Sequence, residues 1–192
     1  MEISNHRKII IITAPSGAGK STITHYLLSN FPNLCFSISA ATRAPREGEV
    51  NGKDYHFISQ DAFLSHIQND DFVEWEMVYE GKYYGTLKTE IYRIWNEAKT
   101  PVLDIDVSGA LHIKQTYPAD TLTIFIEPPS INVLKERLAS RGTETAESLA
   151  TRVNKAAYEL SFKHQFDKVI LNDNLQKACS EAAEIISTFL AY

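Results

Sequence analysis

Apolar residues along this chain come in short unbroken runs. Residues 8–13 hold four consecutive isoleucines with no polar alternation, as expected of a strand covered on both faces in a parallel sheet. Residues 101–106, 121–126 and 167–171 repeat that signature. Each run is followed by apolar residues at helical spacing. These helices are predicted over 21–30, closed by Phe31-Pro32, then 108–116, 130–140, 145–163 and 174–190, the last with Asn174 as a good N-cap. Buried strands alternating with helices predict an α/β fold: a parallel sheet core with helices on both faces.

Residues 34–88 break that rhythm. Strand-like pieces at 35–39, 54–58, 72–79 and 82–84 are interrupted by the turn signals Glu47-Gly48 and Asn51-Gly52, and one amphipathic helix is predicted over 60–68. This reads as a mostly antiparallel insertion. A second, polar and arginine-bearing insertion covers 139–152. The chain is therefore expected to be one domain, with a core of 1–33, 89–138 and 153–192, an insertion at 34–88, and a small helical lid at 139–152. Its 8 glycines fall in the connections between these elements or, for Gly109, at the start of the helix predicted over 108–116, and they mark special backbone geometry or a close ligand.

Composition narrows the classes. With 192 residues, 44% hydrophobic and 22% charged, the chain can bury a core without disulfide or metal staples. A net charge of −5 argues against a nucleic-acid coat. Cys35 and Cys179 match no metal or redox spacing, and the histidines show no zinc spacing. The first eight residues are polar, and no apolar run approaches the ~20 residues of a membrane span. The expectation is a cytoplasmic protein, monomeric or weakly dimeric, with no nucleic-acid or membrane partner.

The chemistry is concentrated at Ala14-Pro15-Ser16-Gly17-Ala18-Gly19-Lys20-Ser21-Thr22. It follows a buried strand and opens a helix, the setting a phosphate-binding loop requires, with Ala14 in place of the usual first glycine. Backbone N–H groups and the helix N-terminus attract a polyphosphate, Lys20 brings a mobile charge, and the Ser21 hydroxyl suits Mg²⁺. A phosphate loop of this type needs a carboxylate on a neighbouring strand. Asp104 and Asp106 end such a strand, and Asp104 is the expected metal-side acid.

The segment from Ser37 through Thr42-Arg43-Ala-Pro45-Arg46 and Gly48 to Asn51-Gly52-Lys53-Asp54-Tyr55 resembles the signature of guanylate kinases. So do Phe72-Val-Glu74-Trp75, Tyr83-Tyr84-Gly85-Thr86, Leu103-Asp104-Ile-Asp106, Arg141-Gly-Thr-Glu-Thr145 and Leu171-Asn172-Asp173. The motifs follow the family's order over nearly the whole chain. The resemblance implies a P-loop NTPase core, a GMP-binding insertion and a lid, with transfer of the γ-phosphate of ATP to GMP. It implies that Ser39, Arg43, Arg46, Tyr55 and Tyr84 hold the GMP phosphate, and that Glu74, Thr86 and Asp106 face the guanine. It makes Arg137, Arg141 and Arg152 ATP-side cations and places Asn172 near the adenine. The chemistry agrees, because paired arginines clamp a dianion and acceptor-only carboxylates suit the donor edge of guanine. Lys20, Arg43, Arg141 and Arg152 are the expected catalytic charges, and no general base is assigned. The sequence departs from the family at Ala41 and Ser108. It also carries an extra residue between Glu74 and Tyr84, so the Tyr84 assignment needs a bulge or longer turn at 79–82. The alternatives are a non-catalytic, protein-binding relative or a kinase for another nucleoside monophosphate.

Overall fold

The computed structural model describes residues 7–140 and 146–191. Its core is a five-stranded parallel sheet in the order β2-β7-β1-β8-β9, made of Leu34–Phe36 (β2), Thr100–Asp104 (β7), Ile9–Thr13 (β1), Thr121–Glu127 (β8) and Lys168–Leu171 (β9). The central strand explains its own composition. Ile10 and Ile12 pack with Ile23 and Leu27 of α1 (Lys20–Asn30) and Ile186 of α7 (Leu175–Ala191). Ile9 and Ile11 pack on the other face with Ile91 of α3 (Lys88–Asn96) and Ile113 of α4 (Val107–Thr116). A strand enclosed on both sides has no solvent face, so nothing favours polar alternation.

The second sheet is four-stranded, in the order β4-β3-β6-β5: His56–Phe57 (β4), Ala40–Ala41 (β3), Lys82–Leu87 (β6) and Phe72–Tyr79 (β5). Two of its three pairings are antiparallel, as expected. Helix α2 (Gln60–Gln68) covers one face through Phe63, which stacks on Phe72 at 4.4 Å.

The sequence reading needs three corrections. Residues 34–36 belong to the core sheet, pairing parallel with Thr100, Pro101 and Val102, so the insertion starts after them. Helix α3 was not predicted; its N-cap is Leu87 with no side-chain cap, so the usual start signal is missing. The lid boundary at 152 falls inside a continuous helix, α6 (Ala146–Leu160), which follows α5 (Ile131–Ala139).

The β5–β6 pairing shifts register twice, between Phe72 and Glu74 and between Met77 and Tyr79. The second shift places an extra residue just before the 79–82 turn, where the Tyr84 assignment had expected it. The first has the larger effect. Without it Phe72 and Glu74 would share a face. With it Phe72 faces α2, while Glu74, Glu76 and Val78 line a cavity on the opposite side.

Candidate functional site

That cavity, about 390 Å³, lies at the carboxyl ends of β1 and β7 and is walled by the small sheet and by α6. Open α/β sheets generally bind ligands at this edge. Its floor is the loop from Ala14 to Thr22. Gly17 and Gly19 sit at φ 92° and 98°, whereas Ala14 avoids the left-handed region, which is why alanine is tolerated there. Ala18 is fully buried in the core and anchors the loop.

Asn172 holds the loop from behind. Its Nδ2 donates to the Ala18 carbonyl at 2.7 Å, and it is 3% exposed. Arg137 donates to the Asn172 carbonyl at 3.1 Å. Both residues brace the loop from behind and are not among the residues that line the cavity. Arg152, carried by α6, does line it and donates to Ser16 Oγ at 2.9 Å. Arg141 lies outside the described residues.

Lys20 is ion-paired with Asp104. Asp104 and the Ser21 hydroxyl line the same cavity. Among the described residues no cluster of three or more His, Cys, Asp or Glu forms a metal cage. This sparse set of hard oxygen donors fits Mg²⁺, which takes few protein ligands and completes its shell with phosphate and water.

At the far end stands Glu74, 6% exposed, with Oε1 accepting from Thr86 Oγ1 at 2.7 Å. Gly109 makes room for it, since a Cβ there would lie 2.7 Å from Glu74 Oε2. Burial raises the Glu74 carboxyl to about 7, the Thr86 hydrogen bond opposes the rise, and the Asp106 charge adds to it. Asp106 caps α4 by accepting from Gly109 N at 2.9 Å, and it lines the cavity beside Glu74.

Ser39, Tyr55 and Tyr84 form a third wall. Arg43 lies behind it, donating from Nε to the Tyr84 hydroxyl at 3.2 Å, with its guanidinium 4.9 Å from the Tyr55 ring centre. Its fork grips Glu49 at 2.5 and 2.7 Å. The Arg43 bonds hold the Glu49 carboxyl down at about 2. The backbone N of Arg46 also donates to Glu49 at 2.7 Å, but the Arg46 side chain is exposed and does not line the cavity. The structure thus gathers every predicted GMP-side residue except Arg46 around one site.

Sequence reasoning missed Glu49, Glu76, Lys155 and Glu159. Glu76 was legible, because period-two alternation in 72–79 puts it on the face of Glu74. Lys155 and Glu159 sit three and seven residues after Arg152, on one face of α6. Glu159 is 8% exposed, and burial raises its carboxyl against the pull of Lys155 and Lys20. For Glu49 no sequence signal distinguishes an arginine partner from a loop acid.

A family model described as guanylate kinase matches residues 6–189. A guanylate kinase of Bacteroides fragilis is 48% identical over 183 residues, 95% of this chain and 90% of that one. The guanylate kinase of Porphyromonas gingivalis is 48% identical over 185 residues, 96% of this chain and 98% of its own. The crystal structure of guanylate kinase from Anaplasma phagocytophilum matches with a TM-score of 0.76 at 28% identity, covering 94% of this chain and 85% of that one.

Proposed function

Because this chain belongs to the guanylate kinase family, we propose that it transfers the γ-phosphoryl group of ATP to GMP, giving ADP and GDP, as a cytoplasmic enzyme. The observation that carries this reading is the spacing of two unlike groups in one cavity. The buried carboxylate of Glu74 stands at one end, and the Arg43–Tyr84–Tyr55 cluster at another, both above the phosphate loop. Guanine presents an N1–H and a 2-amino group, and Glu74 accepts from both. Asp106 helps from the α4 terminus. Adenine would set a lone pair against Glu74 and leave its oxygens unpaired, a mismatch worth roughly 10⁴-fold in such sites.

The nucleophile is the GMP phosphate, already ionised, so the protein needs no general base. Its work is to orient and to neutralise charge. Ser39, Tyr55, Tyr84 and Arg43 hold the acceptor phosphate. Ala14 to Thr22 cradle the ATP phosphates, with Lys20 leaving Asp104 for the β- and γ-oxygens. Arg152 adds charge from α6. Ser21 and Asp104 would hold Mg²⁺, which would supply charge neutralisation on the phosphates. We assign 37–88 as the acceptor-binding part and 139–160, to the end of α6, as a lid, the remainder being core.

Coupled assays with ATP and GMP, AMP, dTMP or CMP test the proposal. GMP is expected to dominate kcat/KM by orders of magnitude. Equal or better use of another monophosphate, or no turnover at all, would overturn it.

A further inference from the structure

Glu76 has no task in the reaction derived above. It lies two residues beyond Glu74 on β5, and both side chains enter the same cavity. Its cross-strand neighbour is Tyr84, whose hydroxyl accepts from Arg43 Nε. Glu76 therefore stands between the base reader and the phosphate clamp, one repeat of the pleat, about 7 Å, from Glu74. A nucleotide spanning those two ends has its pentose there.

A carboxylate in that position is unfavourable for a phosphate ester in general. Partial burial and the Asp106 charge already disfavour its ionised form, and a phosphate dianion adds a further like charge. Lys155 on α6 offsets this from across the cavity, shared with Glu159 at 3.9 Å. Hydrogen-bond donors on the pentose relieve it directly, as carboxylates do when they bind ribose hydroxyls in nucleotide sites of other folds.

We propose that Glu76 accepts hydrogen bonds from the ribose hydroxyls of the acceptor nucleotide and sets a preference for GMP over dGMP. This assignment rests on the GMP kinase reading. Its test compares kcat/KM for GMP and dGMP in the wild type, Glu76→Ala and Glu76→Gln, with thermal melting and the KM for ATP as controls. The wild type is expected to favour GMP by about tenfold, the value of a hydrogen bond to a partly exposed charge. Glu76→Ala should bring the ratio near one through a higher KM for GMP, with kcat, the KM for ATP and the GMP/AMP ratio unchanged. Glu76→Gln should fall between, and it alone decides if the alanine variant melts early. A wild type that uses both nucleotides equally, or variants that keep its preference, overturn the assignment while GMP turnover leaves the kinase reading standing. Absence of GMP turnover in the wild type would remove both.

Discussion

Two regions of the cavity are assigned to phosphate. Beneath the ATP side, the loop is shaped by backbone: two left-handed glycines, a buried Ala18, and Asn172 pinned against it by Arg137. On the GMP side, the clamp is made of side chains on an exposed loop, held by an arginine fork on Glu49. One receptor is tied into the core through Ala18 and the Asn172 brace. The other is held by a carboxylate where the substrate's anion is to bind. Damage to the first should therefore be felt in stability and kcat, and damage to the second in KM.

The largest expected effect is on the ATP side. Lys20→Met should lower kcat by at least ~10²-fold, the scale of losing one preorganised charge, with melting and GMP affinity little changed. Steady-state kinetics read this, and near-normal turnover would end the phosphate-loop assignment.

A pair of glycine substitutions sharpens the contrast. Gly19→Ala forces alanine to φ 98° and drives its Cβ into Asn172 Nδ2, so the brace must move. A loss of about 1–3 kcal/mol in urea unfolding is expected from the strain, with activity falling alongside. Gly48→Ala, at φ 84° in open space, carries strain alone, about 1 kcal/mol. Equal losses at both sites would dissolve the distinction.

The third effect is at the base reader. Glu74→Gln should raise the KM for GMP by about tenfold or more and narrow the GMP/AMP ratio, since an amide also donates. Its pH dependence separates it from the clamp. The Glu74 carboxyl is raised from 4.5 to about 7, so its contribution to stability is full below about 4.5 and is lost as pH rises through 7. GMP needs the ionised form, so its KM should rise as pH falls below about 7, and the Glu74 share of that rise should vanish in Glu74→Gln. The Glu49 carboxyl moves the opposite way, from 4.5 to about 2, so its contribution is present above about 4.5 and lost only as pH falls towards 2. Titrating KM between pH 8 and pH 6 therefore reads Glu74 and leaves the clamp charged. The phosphate of GMP titrates near 6 and is common to both enzymes.

The smallest effect is at Glu49. Glu49→Gln keeps one acceptor for Arg43 and should raise the KM for GMP about fivefold or less, with kcat unchanged, since the mostly buried pair loses its charge but keeps a hydrogen bond. A lower KM would mean that Glu49 competes with the phosphate instead of orienting its partner.

The same division governs what could be read in advance. Buried strands and the loop of Gly17, Gly19 and Lys20 announce themselves, because unbroken isoleucines and left-handed glycines leave few alternatives. Leu34–Phe36 did not, since a short edge strand beside a turn-rich segment looks like part of that segment until its partner Thr100–Val102 is seen. Asn172 was placed near the right loop, but its bond to the Ala18 carbonyl was not foreseen, because an amide just past a strand does not reveal which way it turns. Glu49 was invisible for the reason that makes it interesting: its partner is chosen by loop closure.

The register shift at Val73 has a consequence for how this gene tolerates length changes. A strand of period two behaves like a reading frame of two letters, and the shift acts as a one-letter insertion in it. Deleting Val73 would restore the uninterrupted frame from Phe72 onward. Phe72 would stay on the side of α2 and Glu74 and Glu76 would keep the cavity, because their partners Leu87, Thr86 and Tyr84 already alternate without a break. Deleting Trp75 instead would take a letter out of the regular stretch, turning Glu76 away from the cavity and bringing Met77, now 49% exposed on the side of α2, into its place. Point substitutions along β5 can tune the site, whereas a deletion scan should find the loss of residue 73 far milder for GMP turnover than the loss of residue 75, a sharp fault line within one strand.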